Sequence, residues 1–182
     1  MNLQKISEEI NSKYFYLGAG VCALLFIASI FVYPSYNFFR QNLSDLGIGA
    51  SAIYFNSSLI LAGVLLLFFY LNLLFGSKKL FETIISFLGI ISAFALVGVG
   101  VFTIDYLEMH YLCAGTFFTL TSIILLIRSV KKFPKQIPFR IFELLSSGII
   151  LFYLLVLRIP ILQKLSVFII VLWVLLNKIK NN

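Results

Sequence analysis

The run from Phe15 to Val32 contains one distinctly polar side chain, Ser29, and apolar stretches of comparable length recur down the chain. At about 1.5 Å per residue, a helix of that length crosses a hydrocarbon core of ~30 Å. No other feature restricts the fold as strongly. In lipid the backbone polar groups must find partners inside the protein, and a helix supplies them within one segment. Composition agrees, since 61% of the residues are hydrophobic and 12% charged, against about 25% charged in a soluble domain. The mean hydropathy is +1.05, so lipid is the expected solvent for most of the chain.

The expected spans are 15–33, 51–75, 80–104, 110–127, 139–157 and 160–177. They predict an all-α fold, a six-transmembrane-helix antiparallel bundle forming a single integral membrane domain over 1–182. Pro34 closes the first span because it has no N–H to continue a helix. Gly76-Ser77-Lys78-Lys79 reads as a tight basic turn, and Pro134 and Pro138 break a longer basic connector from Arg128 to Arg140. Glu82 and Glu143 fall near the starts of the third and fifth helices, where a negative charge suits the helix dipole. Gly89, Ala93, Gly98 and Gly100 let another helix approach the third closely. Before the first span, Leu3, Ile6 and Ile10 recur at helical spacing among charged residues. Residues 1–13 are therefore expected as a separate amphipathic helix lying along the membrane surface. The apolar run after it is too long for a signal peptide, so the segment is expected to be retained.

Charge sets the expected orientation. Lys5, Lys13, Lys78, Lys79, Arg128, Lys131, Lys132, Lys135, Arg140, Lys178 and Lys180 fall on one side of the alternating spans. Arg40, Arg158 and Lys164 fall on the other. Cytoplasmic loops carry the excess of Lys and Arg, so both termini are expected in the cytoplasm. The same bias accounts for the net charge of +7 without invoking nucleic acid. Cys22 and Cys113 sit inside apolar runs with no paired spacing and read as buried packing residues.

On the outward side, Asn42, Ser44 and Asp45 follow the first span, with Asn56 near the top of the second. Asp105, Glu108 and His110 lie between the third and fourth spans, and Arg158 between the fifth and sixth. Ionisable groups at this depth need partners or water. One polar site is therefore expected, in which Asp45 approaches His110 and Asp105. His110 would serve there as a base or a single metal ligand. The competing reading is structural, with Ser44-Asp45 capping a turn that begins at Leu46, Gly47 giving a permissive backbone, and Asp105 capping the fourth helix. One histidine and scattered carboxylates fall short of a zinc site, and no metal or other cofactor is expected. Nucleophile-elbow, P-loop and haem-attachment motifs are absent from the sequence.

Asn42-Leu43-Ser44-Asp45-Leu46-Gly47, Phe55-Asn56, and Phe102 to Asp105 followed by His110 together resemble an uncharacterised prokaryotic membrane-protein family of unknown function (DUF998-like). Its members usually carry Pro between the Phe and Asp of the third-span motif, where this chain has Thr103-Ile104. The resemblance implies six helices and no agreed activity. More distantly, the Ser-Asp after the first span is similar to a eukaryotic membrane family that includes lipid-remodelling factors of glycolipid anchors, a likeness at the level of fold.

These features favour a small multi-pass protein of the cell membrane that binds or handles lipid, or a lipid-linked molecule, at the outer leaflet. The alternative is an accessory subunit packing against other membrane-protein subunits. A transporter ranks third, because the spans lack paired broken helices and a buried acid–base chain. Catalysis has the least support.

Overall fold

The computed structural model describes residues 3–77, 79–130 and 137–180. Lys78 of the expected basic turn, and Lys131, Lys132 and Lys135 of the basic connector, lie outside the described residues. Among those described, the chain forms six α-helices: α1 (Leu3–Val32), α2 (Ala52–Gly76), α3 (Leu80–Val101), α4 (Leu107–Ser129), α5 (Ile137–Leu155) and α6 (Pro160–Lys180). Five of them are long and apolar enough to cross a membrane, and α6 carries a shorter apolar stretch, Pro160–Leu176.

Each helix packs chiefly on its neighbours in sequence, and the closest pairing is α2 with α3. The antiparallel order brings the α1–α2, α3–α4 and α5–α6 turns to one end, hereafter the Asp45 end. The last turns of α2, α4 and α6 and the first turns of α1, α3 and α5 lie at the opposite, Glu143 end. A core of Tyr70, Ile85, Leu96, Phe118, Leu125, Ile150 and Trp173 joins α2 through α6. Outward faces are apolar too, as Leu17, Leu24, Phe31, Phe87, Phe94 and Phe168 show. A helix apolar on every side belongs in a low-dielectric solvent.

Small polar side chains pin the interior. Ser92 Oγ lies 3.0 Å from Thr121 Oγ1 between α3 and α4, and Ser122 Oγ lies 3.0 Å from Ser147 Oγ between α4 and α5. Ser58 Oγ donates to the Cys22 carbonyl between α2 and α1. Cys113 Sγ lies where a Cβ on Gly98 would stand, 2.6 Å away, so α3 and α4 touch through these two residues.

Three expectations about the helices are corrected. Residues from Leu3 onward are the first turns of α1 and not a separate surface helix. No Gly or Pro interrupts the chain between Leu3 and Leu17, so nothing breaks the hydrogen-bond ladder. The resulting helix is roughly 45 Å long, more than a ~30 Å core requires, and its polar first turns extend past the hydrocarbon. The third helix stops at Val101, where the Phe102 N–H closes back on the Gly98 carbonyl at 2.8 Å. The fourth begins at Leu107, which moves His110 from the expected helix start to the end of the first turn.

Candidate functional site

The connector from Tyr33 to Ser51 is a folded plug at the Asp45 end. Pro34 stops α1, and Asn37 then builds a turn, its Oδ1 accepting from the Phe39 and Arg40 N–H groups. Leu43–Gly47 forms a 3-10 turn. Three residues make one turn of such a helix, so Leu43 and Leu46 project to the same side. Both are buried against Phe26, Ile30, Phe55 and Val167. The polar backbone of the plug is answered from neighbouring helices. Asn56 Nδ2 of α2 donates to the Gly47 carbonyl at 3.0 Å, and the Leu43 N–H donates to Gln163 Oε1 of α6 at 2.8 Å. Ser51 Oγ donates to the Leu46 carbonyl at 2.8 Å, and Ser44 is buried beside Leu43.

Gly47 is needed for space, since a Cβ there would stand 2.9 Å from Asn56 Oδ1 and 3.3 Å from the Phe55 ring. The permissive backbone expected of Gly47 belongs instead to Gly49, with φ at +65°.

Under the plug lies Lys164, only 7% exposed. Its Nζ donates to the Gln41 carbonyl at 2.5 Å and to the Pro160 carbonyl at 3.4 Å. The rings of Phe38 and Tyr36 lie 4.9 and 5.6 Å from it, each giving a cation–π attraction of about 0.5–2 kcal/mol. Asp45 attracts the ammonium through space but lies beyond ion-pair distance. Tyr36 Oη is buried and has no hydrogen-bond partner among the described residues. Burial, and then the Asp45 charge, push the Tyr36 phenol up to about 12, so it stays a neutral donor at physiological pH.

The expected trio of Asp45, His110 and Asp105 shares this end but does not form bonds among its members. The turn carrying Asp105 lies against the Leu43–Gly47 segment. Even so, each group is answered locally. Asp45 Oδ2 accepts the Asn42 N–H at 3.0 Å, so Asp45 closes the plug's own turn. Asp105 is exposed and accepts from Thr103 Oγ1 at 3.3 Å. It does not cap α4, whose first residue follows Tyr106. His110 is buried, with Nδ1 2.8 Å from the Phe102 carbonyl. A carbonyl only accepts, so Nδ1 carries a proton and Nε2 is the ring nitrogen left to accept one. Glu108 is exposed, as is Arg158, whose Nε donates to the Leu154 carbonyl at 3.2 Å.

Sequence reasoning counted Lys164 among the outward cations without seeing its burial, and it missed Gln163 and Tyr36. The available signal was a lysine within the apolar stretch of the last span, because a charge at that depth needs a reason. It also missed a second buried cluster at the Glu143 end. Glu143 stands nearly two turns into α5, 2% exposed. Its Oε1 accepts from Arg128 Nε at 2.8 Å and from Trp173 Nε1 at 3.0 Å, and the Arg128 guanidinium lies 5.4 Å from the Trp173 ring centroid. This cluster ties α4, α5 and α6 together and makes Glu143 an interhelical anchor, not a dipole partner. Among the described residues, no three His, Cys, Asp or Glu side chains gather as a metal site would require.

An all-helical bundle, apolar outside and stitched by hydroxyls inside, with a folded connector sealing one end, defines a multi-pass membrane protein. A family model described as a protein of unknown function (DUF998) matches residues 16–177, and the chain belongs to that family. No curated protein and no solved structure matches the chain.

Proposed function

We propose that this protein binds a lipid or lipid-linked molecule with an anionic headgroup at the outer leaflet of the cell membrane. The observation that carries the reading is Lys164: a buried ammonium at the Asp45 end, held by two carbonyls and two aromatic rings, with no carboxylate at ion-pair distance among the described residues. Burying an ammonium costs several kcal/mol unless compensated, and neutral carbonyls leave its charge available to an anion. Phe38 and Phe39 are exposed on the connector above it and offer apolar surface to lipid around a bound headgroup. Arg158 adds a second cation at the same end.

Protein extracted in mild detergent and examined by native mass spectrometry is expected to retain an anionic lipid. Lys164→Gln should lower the retained fraction at least tenfold, which corresponds to about 1.4 kcal/mol, close to the low end for a hydrogen bond to a charged group. Equal retention by the variant would remove the basis of the reading.

The second reading, an accessory subunit, is favoured by a shallow depression on α4 lined by Tyr111, Leu112, Gly115, Thr116, Thr119 and Leu120. Nothing lies within 4 Å of where a Gly115 Cβ would stand, so another helix could approach there. The Gly89–Ala93 face is not available for that role, being buried against α2. Stoichiometric partner protein in the same spectra, in place of lipid, would favour this second reading.

Orientation follows from the basic residues. With Cys22 and Cys113 replaced by alanine, a cysteine at exposed Ser35 should react with an impermeant maleimide applied to intact cells. One at exposed Lys79 should react only after permeabilisation. The opposite pattern would put the Asp45 end in the cytoplasm and the proposed site in the wrong leaflet.

A further inference from the structure

The seam between α5 and α6 is tied at the Glu143 end, where Trp173 Nε1 donates to Glu143. Between that tie and the α5–α6 turn the seam is shallowly open to the surface. The opening is a groove of 540 Å³ lined by Leu145, Gly148, Ile149 and Phe152 of α5 and Leu162 and Leu165 of α6. Gly148 keeps it open, because nothing lies within 4 Å of where its Cβ would stand.

We propose that this groove holds one acyl chain of an anionic phospholipid whose headgroup lies at the α5–α6 turn, an inference that rests on the lipid-binding reading above. Three observations select that occupant. The walls are apolar and belong largely to α5, a helix long and apolar enough to span the membrane. A groove of that kind takes up hydrocarbon, because water needs polar partners to stay. From Leu145 to Phe152 the α5 wall rises roughly 10 Å, which suits an extended chain lying along the helix. At the turn, Arg158 is exposed, and its guanidinium donates to the Leu154 carbonyl through Nε, with no carboxylate at ion-pair distance among the described residues. Its terminal nitrogens form the planar fork that matches a phosphate. Leu162 and Leu165 of the groove flank Gln163 and Lys164 in one turn of α6. The groove and Lys164 thus share one turn of α6.

The test uses the full-length protein, delipidated in mild detergent and offered phosphatidylglycerol, with retention read by native mass spectrometry. Gly148→Phe carries its ring into the groove from a Cβ position with open space around it and removes a helix-interior glycine, so folding should survive. Gly148→Ala adds one methyl group and serves as the control. Gly148→Phe is expected to lower retained lipid at least tenfold, while Gly148→Ala remains close to wild type. Lys164→Gln run alongside separates the two claims. If Lys164→Gln releases the lipid and Gly148→Phe does not, the groove assignment is overturned and the headgroup reading stands. If Gly148→Phe releases it and Lys164→Gln does not, the groove stands and the headgroup reading fails. A wild-type protein that retains no phosphatidylglycerol overturns both.

Discussion

Glu143→Ala is expected to destabilise the bundle by about 3 kcal/mol, the low end of what breaking a buried ion pair costs. The low end applies because the Arg128 side chain keeps 27% exposure and can turn its charge toward water. Two groups lose their common acceptor at once: Arg128 Nε at 2.8 Å and Trp173 Nε1 at 3.0 Å, both on Glu143 Oε1. Trp173 is 1% exposed, so its freed N–H would gain no water in exchange. Glu143→Gln keeps an amide oxygen in place and should lose less than half as much. The check is the unfolding midpoint in detergent micelles under increasing sodium dodecyl sulfate. Alanine and glutamine variants that both unfold at the wild-type midpoint would show that α4, α5 and α6 do not depend on this anchor.

Six helices were legible because their signal is apolar length, which survives without knowledge of any contact. What length does not encode is whether a helix bends. The polar turns before Tyr14 fit a surface helix and a continued α1 equally well by side-chain pattern. The unbroken ladder decided it, since Glu, Lys and Gln are themselves good helix formers. The plug was legible as an element, because Asn42 to Gly47 is polar and short between two apolar runs. Its destination on α6 was not. Gln163 and Lys164 meet backbone groups of the plug, Leu43 N–H and the Gln41 carbonyl. Backbone donors and acceptors are the same at every position and leave no trace in residue identity.

The same reason explains why Asp45 and His110 did not pair. Each found a nearer main-chain partner, Asn42 N–H and the Phe102 carbonyl, and a local bond closes with less loss of chain entropy than one between distant segments. Glu143 was misread because helix starts are uncertain by a few residues from sequence. With α5 beginning at Ile137, Glu143 moves from the dipole-facing turn into the packed interior.

The second large effect is expected at Gly89, where the ring of Tyr70 lies directly over the helix backbone. A Cβ at this position would stand 2.2 Å from Tyr70 Cδ1 and 2.4 Å from its Cγ, well inside any carbon–carbon contact distance. The approach is shared along the pair. A Cβ on Gly63 would lie 2.6 Å from Val97 Cγ2 and 2.9 Å from the Ala93 carbonyl, and one on Gly100 would lie 2.8 Å from the Asn56 carbonyl. Helices α2 and α3 therefore cannot slide to accommodate a larger residue at Gly89 without new clashes elsewhere. The Tyr70 ring must move instead, and it is 3% exposed and packed within the main core. Gly89→Leu is expected to cost about 3 kcal/mol, the upper part of the range for overpacking. The gain in helix propensity, about 1 kcal/mol, offsets only part of it. Removing the obstacle should restore much of the loss, because in Tyr70→Ala with Gly89→Leu the leucine side chain occupies the vacated ring site. The double variant should thus unfold at higher denaturant than Gly89→Leu alone, with a coupling energy of about 1–3 kcal/mol between the two sites. Strictly additive losses would mean that Tyr70 and Gly89 do not touch, and that the α2–α3 contact is looser than this geometry requires.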